Sequence, residues 1–176
     1  MHSSAPPSSS ETVLAAFLQK DAEDLRAFAR PIWEKAYSEI ISTEQIDYML
    51  SKGYSAETLL REMSEQGVMY RWIQKNSRRA GFLACEPDLR QSSAFLHKFY
   101  VEPSFWGKGL AHLAMEELVP ELSCDGIQTL HLRVNRENQR AIRFYESCGF
   151  GIDGEDCLPI GNGFVMDDYL MSRSLH

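Results

Sequence analysis

The chain has 176 residues, 44% of them hydrophobic and 24% charged, with a formal net charge of −7. This describes one globular domain with room for a substantial core; no apolar run is long enough to span a membrane, and scattered Lys and Arg argue against a general nucleic-acid surface. The four cysteines, Cys85, Cys124, Cys148 and Cys157, form no C-x-x-C pair and no Cys/His spacing, which points away from a metal and towards reduced thiols held mostly in the core.

Residues 1–10, MHSSAPPSSS, read as a disordered tail with no apolar signal core, so residues 11–176 are expected to form the single domain and the location to be cytoplasmic. Residues 12–18 are an apolar run of strand length. Asp21 then offers a helix cap, with Asp24 three residues on, for a helix over residues 22–40 that turns Leu25, Phe28, Ala29 and Ile32 inward and kinks or breaks near Arg30, ahead of Pro31. Ser42 opens a second helix carrying Ile46, Met49 and Leu50, and residues 55–66 give a third with Leu59, Leu60 and Met63. From Gly67 the apolar period falls to two. Residues 68–73 and 80–85 form a hairpin about a polar turn, and residues 93–101 add the next strand. A helix from near Gly109 to Val119 places Leu110, Leu113, Ala114 and Leu118 on one face, with Pro120 set against its continuation. A strand over residues 129–134 leads to a helix over 138–148 that Gly149 stops; residues 150–153 and 164–171 are closing strands. Early strands, later crossover helices and a late hairpin predict an α/β fold, a mixed sheet flanked by helices.

Two stretches carry chemistry. In the first, the strand ending at Val101 meets Gly107-Lys108-Gly109 and a helix start. Glycine permits positive φ there and the helix N-terminus leaves amides unpaired, so the loop suits a phosphate or pyrophosphate; a tight turn with no ligand is the plain alternative. The spacing matches neither G-x-x-x-x-G-K-[ST] nor G-x-G-x-x-G. In the second, a strand ends in Val134-Asn135 and is followed by Asn138, Ala141, Phe144, Tyr145, Gly149 and Phe150. Together the two stretches resemble the GNAT superfamily of acetyl-CoA-dependent N-acetyltransferases. The family's loop reads Q/R-x-x-G-x-G/A; Gly109 and Ala111 meet it, and Trp106 departs from it at the first position. The resemblance covers residues 68–173 well and the N-terminal third loosely.

The resemblance implies the GNAT acyl-CoA N-acyltransferase fold, acetyl-CoA as co-substrate and no metal. It implies transfer of acetyl, by direct attack, to a primary amine of a small molecule, polyamine-like by its Phe99-Tyr100-Val101 and 166–171 segments. A protein lysine or N-terminal acetyltransferase is one alternative, and a non-catalytic acyl-CoA-binding sensor is another; homodimer formation stays open, and no nucleic-acid or membrane partner is implied. By the same resemblance the pyrophosphate lies on the amides of Gly107, Lys108, Gly109, Leu110 and Ala111. The pantetheine arm pairs with the backbone of Phe99, Tyr100 and Val101, and the Phe99 N–H polarises the acetyl carbonyl. Asn135 meets the arm's amides. Asn138 is either a helix cap or a contact, and Trp106 either stacks on the co-substrate or covers the loop. Tyr145 protonates the leaving thiolate, unless it is a buried tyrosine bonded to a carbonyl. The general base is open among His97, Glu34, Tyr37, Glu102, Asp167 and Asp168.

Overall fold

Amphipathic helices occupy most of the first third of the chain, and strands dominate the rest. The computed structural model describes residues 12–176; the tail expected over residues 1–10 lies outside them. After β1 (Leu14–Ala16) come α1 (Ala22–Tyr37), α2 (Thr43–Gly53) and α3 (Ala56–Glu65). Ser42 and Ser55 cap the latter two, each hydroxyl accepting the backbone N–H of the third residue on. Strands β2 (Met69–Lys75), β3 (Arg78–Asp88) and β4 (Ser93–Val101) follow, then α4 (Leu110–Cys124), β5 (Thr129–Asn135), α5 (Gln139–Ser147), β6 (Gly151–Gly161) and β7 (Phe164–Ser174). Asn76 and Ser77, both at positive φ, turn the β2–β3 hairpin.

Several local expectations are corrected. Pro31 and Pro120 break neither helix: α1 and α4 run through them. Both prolines are exposed. The carbonyl each leaves unbonded can take water, and the cost of about 3 kcal/mol for an interior proline is offset by the buried Leu25, Ala29, Ile32 and Trp33 in α1 and by Leu118, Val119 and Leu122 in α4. Asp21 does not cap α1. Its buried carboxylate instead accepts from the Leu18 N–H, the Trp72 indole at 3.0 Å and the Arg79 guanidinium at 2.5 Å. Leu113 and Leu60 stand outside the core at 43% and 37% exposure. Of the cysteines, Cys85 is buried and Cys148 partly so, while Cys124 and Cys157 are exposed. The first closing strand extends to Gly161, because pairing with β7 holds it while its exposed residues carry no alternating apolar signal.

The sheet has the order β1-β2-β3-β4-β5-β7-β6, in which β4 and β5 alone run parallel. Helices α1–α3 cover one face, over Trp72, Phe82 and Ala84; α4 and α5 cover the other, over Leu83, Cys85, Leu130 and Leu132. A bulge in β4 decides which residues face which layer. Ala84 pairs with Lys98 and Cys85 with Leu96, so His97 is an extra residue and the alternation changes phase there. Leu96 and Phe99 thus pack on the α4/α5 side, and Tyr100 packs under α1–α3. Strand β4 pairs with β5 only from Ser93 to Leu96, against Thr129 to Leu132, and then the two strands part.

Strands β3 and β4 approach so closely at Gly81 that a Cβ there would overlap the Tyr100 carbonyl oxygen. Gly81→Ala should therefore force the ladder apart and cost about 1–3 kcal/mol, seen as an earlier thermal transition. Gly53→Ala, whose Cβ meets nothing within 4 Å, should leave the transition in place or raise it, since alanine favours helix over glycine by about 1 kcal/mol.

Candidate active site

The site forms where β4 leaves β5. The Glu102 N–H donates to the Ala80 carbonyl at 2.7 Å, towards β3. Amide directions alternate along a strand, so the Phe99 and Val101 N–H groups point the other way, to the side from which β5 has departed. The Val101 carbonyl on that side accepts the Trp106 indole N–H at 2.8 Å. Phe99 thus offers both backbone groups, and Val101 its N–H, to whatever enters.

Beyond β4 the chain makes a single turn, Pro103–Phe105, and reaches α4 through Gly107 and Gly109, at φ of 70° and 80°. Positive φ, rather than crowding, is what requires glycine here, since a Cβ at either would meet nothing within 4 Å. The Leu113 N–H bonds the Gly109 carbonyl at 3.1 Å and closes the first turn of α4. The amides of Leu110, Ala111 and His112 precede that bond and point out of the helix end. Lys108 departs from expectation: its N–H donates to the Phe105 carbonyl at 3.3 Å, its ammonium lies 5.9 Å from the Phe105 ring centre, and it does not line the cavity below the loop.

That cavity, of about 500 Å³, is lined by Phe99, Tyr100, Val101, Trp106, Gly107, Gly109, Leu110, Ala111, Asn138 and Tyr145. Asn135 lies elsewhere: it borders a second cavity, and its Oδ1 accepts the Glu137 N–H at 2.9 Å. Asn138 is the α5 cap, accepting the Ala141 N–H at 3.2 Å, and it also borders the first cavity. Tyr145 is 8% exposed and packs against the rings of Phe99, Phe144 and Phe150. Among the described residues nothing hydrogen-bonds its hydroxyl, so the carbonyl-bonded alternative finds no partner. Burial pushes its pKa above the ordinary tyrosine value. Sequence reasoning missed Arg140, whose guanidinium lies 3.6 Å from the centre of the Trp106 ring at the cavity rim. No local pattern joins α5 to the glycine loop, so nothing in the sequence signalled the pair.

The second cavity, of about 250 Å³, shares Tyr37, Leu96, His97, Tyr100 and Arg133 with the first. Its walls include the rings of Trp33, Tyr37, Tyr54 and Tyr100, and the Tyr37 and Tyr100 hydroxyls lie 3.1 Å apart. Lys98 reaches it but is engaged, its ammonium 3.0 Å from Glu62 and 2.6 Å from the Tyr70 hydroxyl. Arg133 is paired with Asp156. Asp168 is 4% exposed, and its Oδ2 is sealed from solvent with no hydrogen-bond partner among the described residues. Burial raises its pKa, against the Arg133 charge. The other candidate bases are occupied: Glu34 by Arg30, Glu102 by Arg78, Asp167 by Arg136 and His97 by Glu86. Only Tyr37, His97 and Asp168 of that set border the second cavity. Among the described residues no group of three or more His, Cys, Asp or Glu side chains could hold a metal, and no helix is long and apolar enough to cross a membrane.

The profile of the Acetyltransferase (GNAT) family matches residues 22–150. The chain belongs to the GNAT acetyltransferase family. A spermidine N(1)-acetyltransferase of Thermoplasma acidophilum is 28% identical over 152 residues, covering 84% of this chain and 91% of the relative. The ribosomal-protein bS18-alanine N-acetyltransferase of Escherichia coli is 35% identical over 89 residues, 49% of this chain and 59% of that one. The crystal structure of the PaiA N-acetyltransferase of T. acidophilum, in complex with coenzyme A, superposes with a TM-score of 0.75 at 24% identity, covering 92% of this chain and 97% of that one. The mixed seven-stranded sheet with five helices is the GNAT fold, and the protein is an acetyl-CoA-dependent N-acetyltransferase.

In this GNAT protein the indole at position 106 ties the glycine loop to the end of β4. Trp106→Phe keeps a ring under Arg140 but removes the donor to Val101, so denaturant unfolding should show a loss of about 0.5–1.5 kcal/mol. Trp106→Ala should lose more, because the stacking partner of Arg140 goes with it.

Proposed function

We propose that the protein moves the acetyl group of acetyl-CoA to a primary amine of a small, polyamine-like molecule by direct attack. One observation carries the reading: two cavities meet at the parted ends of β4 and β5, the larger under a glycine loop and the smaller enclosed by aromatic rings. The residues of the first cavity fit the co-substrate, since open strand amides, helix-end amides and glycines at positive φ match a peptide-like arm followed by phosphates. The spermidine acetyltransferase relative supports a polyamine-like acceptor. The smaller cavity admits a flexible amine more readily than a folded protein surface.

Acetyl-CoA, when bound, supplies an activated thioester. Gly107, Gly109, Leu110 and Ala111 hold its pyrophosphate through backbone N–H groups, and the backbone of Phe99 and Val101 pairs with the pantetheine amides as an added strand would. The Phe99 N–H donates to the acetyl oxygen as negative charge develops there. The acceptor's ammonium loses one proton to water before its nitrogen attacks. As the C–S bond breaks Tyr145 gives its proton to the departing thiolate, and the proton that the nitrogen sheds on becoming an amide returns through water to the Tyr145 phenolate. Burial raises the tyrosine's pKa but also raises the proton affinity of a thiolate in the same cavity, while the nearby Arg140 charge favours the phenolate left behind.

Thiol release from acetyl-CoA, followed across alkylamines, polyamines and peptides, tests the reading; release with peptides and with no small amine would overturn it. Gly109→Val places a β-branched residue at φ of 80°, where the left-handed backbone alone costs about 1–2 kcal/mol. Calorimetry should show coenzyme A affinity collapsing while the fold survives. Tyr145→Phe should slow single-turnover transfer by about 10²–10⁴-fold with coenzyme A affinity kept. Because burial raises the wild-type pKa, its rate should hold past the ordinary tyrosine value of about 10 before falling with rising pH. An equally fast and equally stable phenylalanine variant would leave solvent as the proton source.

A further inference from the structure

We propose that Asp168 is the counter-ion for the acceptor's ammonium group, so that the second cavity selects a primary alkylammonium over a neutral or anionic amine. The inference rests on the acetyl-transfer reading above and assigns the charge of its acceptor. Asp168 lies on β7 opposite Asn135, the last residue of β5, beside the point where β5 has left β4. It is almost wholly buried, no described group donates to its Oδ2, and it borders the second cavity. A buried carboxylate without donors is unfavourable unless something pairs with it, and folding alone would not retain one.

The surrounding charges single it out. The cations that reach this cavity are already neutralised, Lys98 by Glu62 and Arg133 by Asp156, and His97 is bonded to Glu86. Among the described residues bordering the cavity, Asp168 is the one charged side chain without a partner. The walls suit the same guest, because aromatic faces attract ammonium groups. They hold one already: the Lys98 ammonium lies 5.3 Å from the Tyr54 ring centre. Tyr37 and Tyr100 border both cavities, so an ammonium held at Asp168 lies next to the passage into the first.

The test reads binding and turnover separately, with spermidine and n-butylamine as probes on the full-length protein. Asp168→Asn keeps the shape and removes the charge. Calorimetry should show affinity for both amines falling by about ten- to a hundredfold, the range of a lost charge-assisted bond, with coenzyme A affinity unchanged and the melting temperature equal or higher. Asp168→Glu should restore part of the amine affinity, and in turnover the loss should appear in amine KM more than in kcat. Unchanged amine affinity in Asp168→Asn would overturn the proposal, as would a lowered melting temperature with coenzyme A binding lost alongside. The two readings fail apart. Amine binding that depends on Asp168 without any thiol release would refute acetyl transfer and leave this site standing; thiol release with unchanged amine KM in Asp168→Asn would do the reverse.

Discussion

Strands β4 and β5 hydrogen-bond over residues 93–96 and 129–132 and then separate, and the rest of the site depends on that separation. A sheet interior normally leaves no backbone group unpaired, because a buried N–H without a partner is costly. Here the unpaired stretch of β4 faces a cavity instead of protein, and the fold supports it from the other side. The Glu102 bond to Ala80 and the Gly81 contact hold β4 tightly to β3. The Trp106 indole occupies the Val101 carbonyl, the group nearest the glycine loop. What stays open is a short strand edge of fixed direction, ready for a ligand with amides of its own.

The bulge at His97 turns that edge into a boundary between two chemistries. With unbroken alternation Lys98 would join Leu96 on the α4/α5 side, and a lysine would enter an apolar layer. The extra residue turns Lys98 to the α1–α3 side, where Glu62 and Tyr70 receive it, and aims Phe99 at Phe144 and Tyr145. Charge then divides along the same line. Arg140 and Arg143 border the first cavity with no acidic partner among the described residues, whereas the second has its unpaired charge on Asp168. On the proposed reading, an anionic co-substrate and a cationic acceptor would be drawn to opposite sides of one opening. The overall charge of −7 carries no trace of this arrangement.

Features that depend on near neighbours along the chain are legible in the amino-acid sequence alone. Ser42 opens α2 and Asn138 caps α5, Gly107 and Gly109 take positive φ, Gly149 stops α5, and the hairpin about residues 76–77 has its turn where the polar run indicates. Features that depend on distant register are not. Asp21 has the spacing of a cap but is claimed by Trp72 and Arg79 from two other strands. Pro31 and Pro120 look like breaks, and only the exposure of their helix faces, set by tertiary packing, lets the helices continue. Tyr145 stands out by its motif, yet Arg140 four positions from Phe144 does not, since its partner is the loop before α4. Asp168 is one acid among several candidates along the chain, because sequence cannot tell a paired carboxylate from an orphan.

Burial beside the opening acts on Tyr145 and Asp168 in one direction, with opposite consequences for the roles proposed for them. Desolvation disfavours whichever form carries charge, so it raises the pKa of the Tyr145 phenol and of the Asp168 carboxyl alike. For the phenol, a higher pKa means that the proton stays in place until a stronger base, such as a thiolate, develops next to it. For the carboxylate, a higher pKa means a greater affinity for protons and for ammonium N–H groups. The charged neighbours temper each case: Arg140 favours the phenolate, and Arg133 favours the carboxylate. One physical cause would therefore suit Tyr145, in the cavity below the glycine loop, to the donor's role proposed for it and Asp168, in the cavity below α1–α3, to the acceptor's, with the edge of β4 between them.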